Sequence, residues 1–263
     1  MIFMKKPVMG IQLYTLRDHI KTAEDFDATL AKLEAMGVTD VQISGIGDIP
    51  ADVQRDILVK HNMKVCITHK GFDRMTDDLE NLIAEHKTID CDALGLGSAP
   101  GEYRENSGRI KEFIAKAEEI GKKLKENGMT FNYHNHAFEF RKLDDMAKTT
   151  MDLLIDETNP EYFNFIPDVA WIHYGDHDPV EVLKKMKGRV KVLHFKDYII
   201  DAEGYRKFVS LGKGVVDLKA CYDIACELEI PYIMYEQDID WVDNDPFKAC
   251  EESWAFMQSL LKD

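Results

Sequence analysis

Cysteine is scarce in this chain, and what there is does not pair. Five cysteines stand in 263 residues, none in a C-x-x-C spacing. That excludes a cysteine-type zinc finger and argues against a disulfide-stapled secreted scaffold, leaving free thiols in a reducing cytoplasm as the expected state. Long apolar runs are missing too. No stretch approaches the roughly 20 apolar residues that a membrane span needs. The N-terminal MIFMKKPVMGIQLY carries no long apolar core followed by a small-residue cleavage site. Runs of Lys and Arg are also absent, and the formal net charge is −15. A polyphosphate is repelled by such a field, so no nucleic-acid partner is expected. The turn after the first strand-like segment, IQLYTLRDH, lacks the glycine fingerprint of a dinucleotide-binding sheet.

What is present is an alternation. Short apolar runs at residues 8–14, 40–45, 64–69, 93–99, 129–136, 163–171, 189–197 and 231–238 read as strands. Between and after them, segments at 22–37, 51–61, 76–88, 107–127, 145–157, 178–188, 216–229 and 246–261 carry helical spacing. Asp178-Pro179 is a good cap and first-turn pair, and the Lys and Glu of 111–126 form a solvated helix face. Parallel strands need such crossovers, and eight of them fit a (β/α)8 TIM barrel, an α/β fold. No linker or composition break divides the chain, so 1–263 is read as a single domain.

In such a barrel the chemistry sits at the C-terminal ends of the strands. Those ends are rich in ligand-type residues. The first gives Gln12, the third His69 and Lys70, and the fourth only the small GLGSAP. The fifth, inside FNYHNHAFEF (131–140), gives His134 and His136, with Glu139 just beyond. The sixth gives Asp168 and Trp171, the seventh His194, Lys196 and Asp197, and the eighth Glu236. Imidazoles and carboxylates around one mouth suit Mn²⁺, Co²⁺, Mg²⁺ or Zn²⁺. Lys196 is placed to bind an anion or to stabilise an enolate. Trp171 is either a platform for a sugar face or core packing. His19, His61, His86, His173 and His177 read as structural or surface residues. Gly212 and Gly214 in LGKG read as turn glycines, with the alternative that a phosphate rests on their N–H groups.

The segments YHNHAFEF, PDVAWIHYGDHDP, VLHFKD, LGKGVVD and YEQD together resemble the xylose-isomerase-like TIM-barrel superfamily of sugar (phosphate) isomerases and epimerases, near inosose dehydratase. The resemblance covers nearly the whole chain. It implies one divalent metal held by four side chains, with Asp168, His194 and Glu236 in three of the positions. The fourth usually holds a glutamate at the end of the fifth strand. Here His134 stands there and Glu139 lies five residues later, so either is the fourth ligand. With His134 as ligand, Glu139 and Glu236 become candidates for acid and base, beside His136 and Lys196. Gln12, His69, Trp171 and Lys196 are expected to contact substrate. The activity implied is isomerisation or epimerisation of a small sugar, sugar phosphate or keto-sugar, or dehydration of a keto-polyol. An apurinic endonuclease of the same fold needs more histidines than these strand ends supply. A non-catalytic sugar-binding subunit has no need of four ligand-type ends. The resemblance also suggests a homodimer.

Overall fold

The computed structural model describes residues 6–262; residues 1–5 and 263, which the single-domain reading takes in, lie outside the described residues. Eight parallel strands form the centre: β1 Val8–Gln12, β2 Asp40–Ile43, β3 Lys64–His69, β4 Ala93–Leu96, β5 Thr130–His134, β6 Asn164–Ile166, β7 Val192–Phe195 and β10 Tyr232–Tyr235. They pair in the order β6-β5-β4-β3-β2-β1-β10-β7. Two parallel bridges, Phe165 with Val190 and Asp168 with His194, join β6 to β7 and close the ring. The expected (β/α)8 barrel is therefore the observed fold.

Helices surround the strands: α1 Ala23–Ala35, α2 Ala51–Lys60, α3 Phe72–Asp77, α4 Leu79–Thr88, α5 Ser107–Glu126, α6 Thr150–Glu157, α7 Val169–Tyr174, α8 Pro179–Lys185, α9 Leu218–Glu227 and α10 Pro246–Leu260. Local chemistry fixes where they start. Thr22 and Asp25 make a reciprocal capping box on α1, and Asn106 caps α5. Asp178 accepts from Val180 N ahead of Pro179, the pair read from sequence.

The barrel is filled in the usual way for this architecture. A small inner cluster of Cys66, Ile67, Ala93, Ile166, Val192 and Met234 plugs its interior. Two larger clusters pack the outer strand faces against helices; one includes Phe113, Phe131, Tyr133 and Phe163 between β5 and α5. All five cysteines are buried free thiols, as expected.

Two local differences bear on the mouth of the barrel. The run read as a strand through Trp171 ends at Ile166, because Asp168 caps α7 through its bond from Trp171 N. After β7, a hairpin of β8 Asp197–Ile200 and β9 Arg206–Val209 extends the chain in antiparallel pairing. Its return loop is tied down by Asp197, whose carboxylate accepts from Gly212, Gly214 and Val216 N–H. Those N–H groups thus serve a side chain of this chain, which replaces the phosphate alternative. A Cβ at Gly214 would stand 2.1 Å from Asp197 Oδ1, so that approach requires glycine. Gly212 at φ +77° is the expected turn residue.

Candidate metal centre and substrate pocket

The strand ends converge as the topology demands. His134 closes β5, Asp168 follows β6, His194 lies in β7 and Glu236 follows β10. One ligand atom from each of these four lies within 4.8 Å of the others, and all four side chains are buried. His134 Nε2 stands 3.6 Å from Asp168 Oδ2 and 3.9 Å from Glu236 Oε2, too far for a hydrogen bond to either. His194 Nδ1 lies 3.0 Å from Glu236 Oε2, and His194 Nε2 lies 2.7 Å from Gln42 Oε1.

These residues fit a divalent ion. His134 Nε2 is buried and has no hydrogen-bond partner, an arrangement that costs free energy unless something else meets it, and Asp168 Oδ2 beside it is met only by the Lys196 ammonium at 3.1 Å. With His194 Nε2–H given to Gln42, the Nδ1 lone pair faces a carboxylate oxygen, and two acceptors at that distance call for a cation. Two imidazoles and two carboxylates are a donor set for Mn²⁺, Co²⁺, Mg²⁺ or Zn²⁺. Between the two candidates for the fourth position, geometry puts His134 in the group.

Lys196 is the electrostatic centre of the site. It is 1% exposed, and its ammonium lies 3.1 Å from Asp168 Oδ2, 3.0 Å from Glu236 Oε2 and 2.9 Å from Asp238 Oδ2. Burial alone would pull its pKa down; the three carboxylates outweigh burial and hold it well above the ordinary lysine value. In return, Asp168 is held at about 2 and Glu236 well below the ordinary carboxylate range, although burial pushes both the other way. Burial raises Asp238. His136 is lowered to about 3 by burial and by neighbouring His134, which keeps it neutral.

A cavity of about 380 Å³ opens over this group, and His69, His134, His136, Lys196, Glu236 and Asp238 are among its walls. Gly95 in β4 makes room for one of them, since a Cβ there would stand 2.7 Å from the His69 ring. His69 and His136 each present a buried ring nitrogen with no partner, Nε2 and Nδ1 respectively.

Three residues singled out from the sequence stand elsewhere. The structure does not bring Glu139 to the cluster. Its carboxylate accepts from Tyr133 OH at 2.7 Å and from His136 N at 2.8 Å, and Tyr133 packs in the layer outside the barrel. The short helical turn Phe138–Phe140 carries Glu139 over the rim to that outer side. Gln12 spends its amide on Ser44 Oγ and Tyr14 N. Trp171 stands behind the cavity wall: its ring packs against the guanidinium of Arg206 at 4.0 Å and against Phe208, and backs His136 at 5.3 Å and the Lys196 ammonium at 5.5 Å. The histidines read as structural have such roles: His86 bonds Thr68 and Leu82 O, and His61 bonds Glu34 and Asp27. Sequence reasoning passed over Gln42, which orients His194, and gave no role to Asn135 at the end of the fifth strand, whose Oδ1 accepts from Asp168 N at 3.0 Å. Gln42 is a neutral amide between apolar neighbours in β2, and Asn135 is a neutral amide between His134 and His136, which drew the attention.

Residues 30–259 match the family described as xylose isomerase-like TIM barrel, and the chain belongs to that family. Inosose dehydratase of Clostridium tetani is 26% identical over 221 residues, 78% of this chain and 67% of that enzyme. Inosose dehydratase of Clostridium perfringens is 32% identical over 99 residues; the match spans 37% of this chain and 31% of that enzyme's length. Among solved structures, a sugar phosphate isomerase/epimerase from Parabacteroides distasonis superposes with a TM-score of 0.81 at 21% identity, covering 98% of both chains. An L-ribulose 3-epimerase superposes with a TM-score of 0.72 at 13% identity, covering 97% of this chain and 95% of its own. At such identities these superpositions speak for the fold. Among the described residues, no helix is long and apolar enough to cross a membrane.

Proposed function

We propose that this protein is a divalent-metal-dependent isomerase or epimerase of a small sugar, sugar phosphate or keto-sugar. The observation that carries this reading is the buried group His134, Asp168, His194 and Glu236, with ligand atoms within 4.8 Å of one another and His134 Nε2 without a partner, beneath a pocket. A divalent ion held there would polarise a carbonyl and its neighbouring hydroxyl, and so acidify the C–H beside them. The protein's own groups do the rest. Lys196 stays protonated among its three carboxylates, and its positive charge stabilises the substrate oxygen that gains negative charge. His136, neutral and with a buried Nδ1 that has no hydrogen-bond partner, and Asp238, both on the pocket wall, are the groups that move the proton. Gln42 holds the His194 ring in place. The cavity is sized for one small polyhydroxy molecule.

Dehydration of a keto-polyol is the second reading, favoured by the likeness to inosose dehydratase over 78% of this chain. It shares the proton abstraction and differs only in expelling a β-hydroxyl instead of taking the proton back.

The test is metal content by mass spectrometry in wild type and Asp168→Ala, followed by incubation with keto-sugars and inososes in D₂O. Bound metal lost in the variant, with deuterium in an isomeric product, supports the first reading. A product short of one water supports the second. A wild-type protein that takes up none of the four metals sinks both.

A further inference from the structure

The pocket has two ends of opposite sign. Around the ring of strands, the ends of β3 and β4 stand across the barrel from those of β7 and β10. The β7 and β10 side holds Lys196, Glu236 and Asp238, and is the acidic end even with the ammonium counted. The opposite wall carries Lys70, just after β3, and Ser98, just after β4.

Lys70 is half-buried, and its ammonium has no hydrogen-bond or ion-pair partner among the described residues. The carboxylate that acts on it is Glu85, and Glu85 is already held by two N–H groups of Arg74, at 3.2 and 2.8 Å. Ser98 Oγ accepts from Arg104 Nη2 at 2.8 Å, which leaves the hydroxyl proton of this pocket-lining residue free to donate. Arg104 also donates to Ala99 O and lies over the Phe138 ring, and it has no carboxylate partner among the described residues. In a chain with net charge −15, that wall thus carries one cation without a counter-ion, Lys70, and the guanidinium of Arg104 stands behind Ser98, outside the pocket lining. A partly desolvated ammonium without a partner is costly, and an anion offsets that cost. The loop leaves space for such a group, since a Cβ at Gly71 would meet nothing within 4 Å.

We propose that the substrate is a small polyhydroxy carbonyl compound with an anionic tail, a carboxylate or a phosphate, held by Lys70 Nζ and Ser98 Oγ while its carbonyl end lies over the His134–Asp168–His194–Glu236 group. The proposal rests on the preceding reading for the carbonyl end only. Lys70 and Ser98 then set specificity, and neutral sugars of the same length are poorer ligands.

Calorimetric titration tests it, on metal-loaded and metal-free protein. The probes are dihydroxyacetone phosphate against dihydroxyacetone, and gluconate against sorbitol. At least one anionic probe is expected to bind about tenfold or more tightly than its neutral counterpart, roughly what one charge-assisted hydrogen bond supplies. The arm that shows the preference separates phosphate from carboxylate. Lys70→Met should abolish it, Lys70→Arg should retain most of it, and Ser98→Ala should weaken it, with metal content and thermal midpoint unchanged in all three. Equal affinity for charged and neutral probes, no binding of either anion at millimolar concentration, or a preference that survives Lys70→Met overturns the proposal. Protein that takes up no metal yet keeps a Lys70-dependent preference sinks the metal reading alone. Fully loaded protein without the preference sinks this one alone.

Discussion

Asp168 and His194 face each other in the parallel bridge that closes the barrel between β6 and β7. The seam and the candidate metal centre are therefore one structure. Asp168 divides its oxygens between two tasks: Oδ1 accepts from Trp171 N at the start of α7, and Oδ2 faces the cluster. Asp168→Asn keeps an oxygen for the cap and removes the charge, whereas Asp168→Ala removes both. Metal uptake, read by mass spectrometry, should be lost in both variants. Chemical denaturation should show Asp168→Ala less stable than Asp168→Asn by about 1 kcal/mol, the usual worth of such a cap. Full metal occupancy in Asp168→Asn would remove Asp168 from the ligand set.

Lys196 neutralises Asp168, Glu236 and Asp238 from inside the protein. Truncating it leaves three carboxylates crowded in a low-dielectric site. Lys196→Met is expected to lower the stability of the metal-free protein by about 3–5 kcal/mol, the range for breaking a buried pair from one side. Added Mn²⁺ should restore more stability to this variant than to wild type, because a divalent cation replaces the missing charge. Thermal melts with and without metal compare the two. An equal metal-induced shift in both proteins would mean that Lys196 and the ion do not share those oxygens.

The barrel was legible because most of its strands are short apolar runs and most of its helices carry a separate period. The site was legible for a related reason: once the strands are placed, Asp168, His194, Lys196 and Glu236 are polar residues at ends that topology must bring together. Glu139 misled because linear spacing past a strand end does not say which side of the rim a loop takes. The Phe138–Phe140 turn carries it outward to Tyr133. The FNFIPDVAW run also misled, since its apolar content suits a strand as well as the first turn of α7, and only the Asp168 cap decides. The β8–β9 hairpin was missed because DYII and RKFV are four-residue strands with little alternation. Gln42 reaches His194 from 152 residues away in sequence, and no local pattern encodes that bond.

Gln42 is where a remote residue should matter for metal affinity. Its Oε1 lies 2.7 Å from His194 Nε2 and fixes both the tautomer and the ring orientation. Gln42→Leu preserves a buried side chain of similar size while deleting the acceptor. Metal affinity, measured by competition with a chelator, should fall roughly 10–100-fold, the effect typical of losing a partner behind a metal-bound histidine. The group of four side chains itself stays intact, so the protein should still load at high metal concentration. A variant with wild-type affinity would show that His194 is held by packing alone.

Glu139 offers a pH signature separate from the metal. Burial raises its pKa from 4.5 to about 7, although the Tyr133 hydroxyl and the His136 N–H pull the other way. The charged groups acting on it from neighbouring elements are few, His134 from β5 among them. A folded-state pKa above the unfolded value means that the folded protein holds this proton more tightly. Its contribution to stability is therefore fully present below about pH 4.5, declines as pH rises, and is gone above the folded pKa near 7. A shift of this size corresponds to a loss on the order of 3 kcal/mol across that window. Glu139→Gln carries no proton to lose. Urea denaturation of both proteins from pH 5 to 8, each kept metal-free, gives the difference in which all other titrating groups cancel. Glu139→Gln should gain steadily on wild type up to pH 7 and then run parallel to it. A constant difference across the series would mean that Glu139 is ionised in the fold at pH 5, with its charge held by Tyr133 and the backbone of His136.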